Sequence, residues 1–321
     1  MTNDTSDIQF DESQLSYGML PTEIEGVYIV STYPGDFDPL SVGDGELVGH
    51  GFPPALEAAR KGVGPVRNRI IIPDMEVQVG VTHNVRKLER VTDTDYLSNN
   101  WAGSVVRGNF VGAQGEWFIP TVSKPGEPQG SEGGWNSSSW VGLDGVFGSN
   151  DVLQTGIEQR VDAAGNATYI PWYEWYAPPQ PGSPGYIYQV NITTFSVRPG
   201  QEMSAIVAYD KTHTHGFIQL YNVWGTGLDN LFTIVLDPPP GASFNGDCAE
   251  WIMEAPDGGE PISSLPRFTP VTFTSAYADD RNDIRTYAGT DATFNISGFN
   301  TTLTAVSSDR PGDVTISYIG P

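Results

Sequence analysis

From about residue 98 to its last residue the chain is a succession of short runs in which apolar and polar residues alternate, each broken by Gly, Pro, Asn or Ser. "NWAGSVVRG", "SSSWVGLDG", "DVLQTGIEQRV", "ATYIPWYEWYA", "YQVNITTFSV", "EMSAIVAYD", "HGFIQLYNV", "LFTIVLD", "CAEWIME", "PVTFTSAYA", "DATFNIS" and "DVTISYI" each fit a strand. A period of two puts one face of each run in an apolar layer, which a helix cannot do. About a dozen such runs joined by hairpin-like turns imply an all-β fold, an antiparallel β-sandwich or jelly roll. The 37 Gly and 25 Pro supply the turns. One segment reads differently: "PPALEAARKG" (53 to 62) has Pro at its start and Gly at its end, the pattern of a helix.

Charge divides the chain. The whole carries 39 Asp and Glu against 16 Lys and Arg. Nucleic acid is thereby excluded as a partner, since phosphate binding needs a basic surface. No run of residues is long and apolar enough to span a membrane as a helix, and the N-terminus shows no basic start followed by an apolar run. The acidity fits either simple solubility or a working pH low enough to protonate many carboxylates, and charge alone does not choose. Residues 61 to 90 are the exception, with Lys61, Arg67, Arg69, Arg86, Lys87 and Arg90 against Asp74, Glu76 and Glu89. Such a stretch either lies against an anionic domain or sits on a solvated face. Cys248 is the only cysteine, so no intrachain disulfide can form.

Parity sorts the polar residues. In "VLQTGIEQRV", Leu153, Ile157 and Val161 share one face, and Gln154, Glu158 and Arg160 the other. Trp140, Gly142 and Asp144 group together, as do Trp172, Glu174 and Tyr176, and Glu250, Ile252 and Glu254. If these faces are adjacent they line a concave groove of aromatics and carboxylates; taken one by one, the simplest reading of each polar residue is an exposed strand position, and of Trp140, Trp172 and Trp175 core packing. The chain has no Gly-Lys-Ser/Thr phosphate loop, no Gly-x-Ser-x-Gly elbow and no His-Glu-x-x-His zinc helix. His213 and His215 lie on one strand face, but without further ligands nearby they make a poor metal site, and no metal or cofactor is called for. Chemistry in such a chain must lean on Glu, Asp and Gln.

Four motifs in order, "NNWAG" (99 to 103), "WVGLDG" with "LQTG" (140 to 156), "WYEWY" (172 to 176) and "AEWIME" (249 to 254), together resemble the glutamic peptidases, or eqolisins, a family of acid-acting endopeptidases. The resemblance covers residues 98 to 321. It implies two curved antiparallel sheets, jelly-roll or concanavalin-like, with the active site on a concave face. It implies a catalytic pair, Gln154 and Glu250, and a substrate groove lined by Trp101, Asp144, Glu174 and Tyr176. It further implies a polypeptide substrate, an extracellular setting and a monomer, and it divides the chain into an N-terminal extension (1 to 95), in the place of a propeptide, and a peptidase domain (96 to 321).

In that chemistry a Glu carboxylate takes a proton from water, and a Gln orients the water and stabilises the oxyanion. The charge asymmetry adds an expectation that the cationic 61 to 90 stretch covers the groove near neutral pH and leaves it when groove carboxylates protonate. Two readings of another class share the pattern, a carbohydrate-binding sandwich and a glycoside hydrolase using Glu174 and Glu250. Neither gives Gln154 a defined task.

Overall fold

The computed structural model describes residues 19–30, 74–78, 83–85, 87–126, 134–186, 188–193, 196–210, 215–224, 231–243, 245–256, 265–282, 284–298 and 300–321. The helix expected over 53 to 62, four of the six basic residues of the cationic stretch, and His213 lie outside them. All described elements are strands. In chain order they are β1 (Met19–Pro21), β2 (Val27–Val30), β3 (Met75–Gln78), β4 (Leu88–Arg90), β5 (Asp95–Ser98), β6 (Trp101–Arg107), β7 (Phe110–Phe118) and β8 (Val122–Ser123). There follow β9 (Trp135–Leu143), β10 (Val152–Val161), β11 (Ala167–Tyr176), β12 (Gln189–Ile192), β13 (Glu202–Asp210), β14 (His215–Asn222), β15 (Leu231–Leu236) and β16 (Cys248–Glu254). The last are β17 (Arg267–Phe268), β18 (Val271–Asp280), β19 (Arg285–Tyr287), β20 (Ala292–Gly298), β21 (Thr301–Thr302), β22 (Thr304–Arg310) and β23 (Asp313–Tyr318).

Two large sheets face each other. One runs β1-β2-β15-β14-β13-β7-β18-β23-β22, and the other β3-β12-β11-β10-β9-β16-β6-β20-β5-β4. Pairing is antiparallel throughout except for β5 beside β20. The expected sandwich is therefore present, and β7 and β22 are the long strands that the quoted runs do not include. Among the described residues no helix is long and apolar enough to cross a membrane.

The layer between the sheets is built by the parity that the sequence carries. Leu153, Ile157, Tyr173, Trp175, Val141 and Trp251 from one sheet meet Ala113, Trp117, Val207, Ile218, Phe232 and Phe273 from the other. Burying each large aliphatic side chain there contributes about 1.5–3 kcal/mol. Trp251 reaches across to donate its indole N–H to the carbonyl of Gln114 (2.7 Å). Gly115 makes room for it, since a Cβ there would lie 2.8 Å from the Trp251 ring.

The opposite face of the second sheet holds a separate apolar cluster that includes Trp101, Trp140, Trp172 and Ile252, with Val85 and Leu88 packed against it. Trp175 is thus core, as its parity suggests, while Trp140 and Trp172 belong to the groove side. The described parts of residues 1 to 95 add strands only at sheet margins: β1 and β2 at the end of one sheet, β3 and β4 at opposite ends of the other.

Candidate active site

Register brings the candidate residues into one row. Gln154 pairs with Glu174 of β11 on one side and with Gly142 of β9 on the other, and Glu250 of β16 pairs with that same Gly142. Paired residues of neighbouring strands project to the same face, so Glu174, Gln154 and Glu250 stand side by side with Gly142 between the last two. The glycine is sterically required: a Cβ at 142 would lie 2.7 Å from the Trp140 ring and 3.2 Å from Glu250 Oε2. Two residues along is a row of Trp172, Gly156, Trp140 and Ile252, and two further along Glu158, Ser138 and Glu254.

The reading of these polar residues as exposed strand positions is overturned. Gln154, Glu158, Glu174, Glu250 and Glu254 are all fully buried. What covers them is in part the extension, whose residue His83 lies in the groove with no exposed surface. The Gln154 amide donates to the His83 carbonyl oxygen (2.7 Å) and to Glu174 Oε2 (3.0 Å). The His83 N–H donates to the same Glu174 oxygen (3.2 Å). Its imidazole stacks on Trp172, ring centroids 3.8 Å apart and planes 6° from parallel. Nδ1 meets Glu254 Oε2 at 2.8 Å and Nε2 meets Gln189 Oε1 at 2.5 Å.

Burial sets the protonation of the site. It lifts the Glu250 carboxyl well above the usual range, Asp144 adding to the rise and the Cys248 thiol opposing it. Neither Glu250 oxygen has a nitrogen or oxygen hydrogen-bond partner among the described residues. Burial likewise lifts Glu174 to about 8, against the opposing charge of His83. For His83 burial pulls downward, but Glu254, by charge and hydrogen bond, then Glu174 and Gln189 outweigh it and hold the imidazole at about 9. A carboxyl held neutral by burial cannot take up a proton as a base would.

These shifts give the pH sense of the contact that His83 itself makes. His83 rises from 6.5 to about 9 in place, so its contribution to docking is complete below 6.5 and disappears as the pH climbs through 9. Glu174 rises from 4.5 to about 8, so the covered state binds its proton more tightly and is likewise favoured at lower pH.

The other expected groove residues separate into two kinds. Trp101 is buried and meets Trp140 edge to face at 4.9 Å, and Tyr176 at the rim accepts a hydrogen bond from Asn84 (3.4 Å). Asp144 is different. It takes a left-handed backbone (φ 70°), and its carboxylate accepts the N–H groups of Asn245, Gly246 and Asp247 at 3.3, 2.9 and 2.7 Å. Those bonds pin the loop that leads into β16, the strand that carries Glu250. His83, Gln189 and Asn100 were not singled out by the sequence; Glu254 was visible only as sharing the parity of Glu250. His215 pairs with Asp237 at 3.0 Å, and among the described residues no group of three or more His, Cys, Asp and Glu could hold a metal ion.

The fold is thus a two-sheet sandwich with an amide and a carboxyl facing each other across a glycine, in a groove closed over a peptide carbonyl. Residues 99–318 match the model of the Peptidase A4 family, and the chain belongs to that family. It is a peptide-bond hydrolase of the glutamic type. Aspergillopepsin-2 of Aspergillus niger is 29% identical over 262 residues, spanning 75% of this chain and 84% of that protein. Scytalidopepsin B of Scytalidium lignicola is 32% identical over 80 residues, 25% of this chain and 27% of that protein. A crystal structure of scytalido-glutamic peptidase with a transition-state analogue inhibitor matches with a TM-score of 0.55 at 21% identity, covering 69% of this chain and 98% of that one. These relatives are peptidases, and the carbohydrate-directed readings are set aside.

Proposed function

We propose that Gln154 and Glu250 are the catalytic pair of an acid-acting endopeptidase and that residues 1 to 95 hold it latent. The observation that carries both is the hydrogen bond from the Gln154 amide to the main-chain carbonyl of His83. A donor that holds a peptide carbonyl in a groove is where an oxyanion would be stabilised. Once the segment leaves, water reaches Glu250, the burial that held it neutral is relieved, and its pKa falls back toward about 4.3. Ionised Glu250 removes a proton from water, and the resulting hydroxide adds to the scissile carbonyl carbon. The charge that builds on the carbonyl oxygen is met by Gln154 Nε2–H. Protonated Glu250 then gives its proton to the leaving nitrogen as the C–N bond breaks, yielding a carboxylic acid and an amine. Glu174, accepting from Gln154 Nε2, keeps that amide turned toward the carbonyl.

The substrate is an extended polypeptide, a reading supported by the related eqolisin structure in complex with the tripeptide Ala-Ile-His. The location of the extension at sheet margins supports its removal without tearing central strands. Relationship to fungal peptidases supports an extracellular setting, and the protein is taken to act as a monomer.

The test is digestion of a denatured protein between about pH 2 and 8 with wild type, Gln154→Ala and Glu250→Gln, alongside the intact mass of the enzyme. Cleavage should appear together with loss of N-terminal mass, fall by about 10²–10³ in Gln154→Ala and be absent from Glu250→Gln. Near-normal rates in either variant would sink the pair, and full activity from a chain of unchanged mass would sink the latency.

A further inference from the structure

The imidazole of His83 occupies a pocket whose construction is independent of His83. Gln189 spends both amide hydrogens elsewhere, on Glu158 Oε2 (2.9 Å) and Asn191 Oδ1 (2.6 Å), which turns its oxygen toward the imidazole. Glu158 is itself fixed by two hydrogen bonds from Arg160, each 2.8 Å. Glu254 is fixed by Asn100 Nδ2 on one oxygen (3.0 Å) and by Trp140 Nε1 on the other (2.9 Å). The Trp172 indole is fixed by its N–H to Ser138 Oγ (2.8 Å). Two acceptors on opposite sides of an aromatic face are thus held in place by the sheet.

We infer that Trp172, Glu254 and Gln189 form the specificity subsite for the side chain of the residue whose carbonyl is attacked, and that it selects a planar cation with N–H donors at both edges, a protonated His or an Arg. The assignment rests on the reading of Gln154 as oxyanion donor, because the residue whose carbonyl it holds is the one whose side chain fills this pocket. A neutral imidazole has one N–H and leaves one acceptor unmet, whereas imidazolium and guanidinium satisfy both and carry charge onto the indole face. The raised pKa of His83 agrees with that protonated form. An aliphatic side chain would bury the Gln189 oxygen without the donor it meets here and leave Glu254 Oε2 with the Trp140 indole alone. A site built to hydrogen-bond its substrate discriminates strongly against analogues that cannot.

The experiment uses the full chain after it has lost its N-terminal mass, and a set of peptides identical except for the residue before the cut bond, which is His, Arg, citrulline or Leu, assayed near pH 5. The His and Arg peptides should exceed Leu in kcat/KM by on the order of 10², with citrulline well below Arg. In Glu254→Gln that preference should fall at least tenfold. Cleavage with no preference for His or Arg, or a preference unchanged in Glu254→Gln, overturns the subsite and leaves the peptidase reading standing. Cleavage of none of the peptides by folded protein from which the N-terminal mass has been lost overturns the peptidase reading. The subsite is then judged from hydrogen exchange at residues 83 to 85 in wild type, His83→Arg and His83→Leu. Protection kept with Arg and lost with Leu supports it; equal protection in all three overturns it.

Discussion

The two faces of the sheet that carries Gln154 are both closed to solvent, yet they are built on opposite principles. Toward the other sheet, Leu153, Ile157 and Trp175 fill a layer of side chains that ask nothing of their neighbours but contact. On the groove side, carboxylates, an amide and tryptophans are buried together, and every polar atom needs a partner or a proton. Some find partners, as Glu158 does in Arg160 and Gln189. Glu250 and the Gln154 oxygen find none among the described residues. One face is therefore built from contact alone, and the other holds buried polar atoms that the fold does not satisfy. Removing side chains from the two faces should accordingly break different properties.

The largest effect is expected on the groove side. Gln154→Ala should lower kcat by about 10²–10³ as the oxyanion donor is lost, and Glu250→Gln should abolish cleavage. The unfolding temperature of Glu250→Gln should stay close to wild type, because the carboxyl it replaces is already neutral in the covered fold. Paired activity and thermal-unfolding measurements check this, and a large drop in stability would put Glu250 in the structural class. On the other face, Ile157→Ala should cost about 2–5 kcal/mol of stability while cleavage per folded molecule holds, as read from denaturant unfolding and active-site-normalised rates.

Asp144→Asn sits between the two. It weakens the anchoring of the 245 to 247 loop, with an expected loss of about 1–3 kcal/mol in stability and a smaller fall in kcat, because the loop leads into the strand of Glu250. A loss of KM alone would instead make Asp144 a groove contact. The subtlest prediction concerns pH. Hydrogen-exchange protection at residues 83 to 85 should be full below 6.5 and lost as pH rises through about 9, the sign set by the raised His83 pKa. Protection that vanishes on acidification would reverse that sign and support charge neutralisation as the trigger for release.

Much of this was legible in the residues. Alternation gave the strands and sorted Leu153 from Gln154 correctly, because side-chain direction in a strand depends on position alone. β7 was not legible: "FVGAQGEWF" carries two glycines and two polar residues, so its apolar period is broken even though it pairs with β13 and β18 in the middle of a sheet. β22, "TAVSSDR", is too polar to announce itself and is held by its neighbour β23.

For the site, the motifs named Gln154 and Glu250, and parity grouped Glu254 with Glu250. The cationic stretch 61 to 90 marks the segment, but nothing marks His83 within it, and its partners Gln189 and Glu254 are 106 and 171 residues away. Burial of the carboxylates was missed for the same reason: parity tells which face a side chain takes but not what lies over that face. The sequence by itself determined an all-β sandwich, its apolar layer and a Gln and Glu set in recognisable motifs, because those depend on local period and residue identity. The tertiary structure decided that Gly142 stands between them, that Asp144 serves a loop, and that the chain's own His83 fills the groove, because strand register and long-range packing are fixed only when distant segments meet.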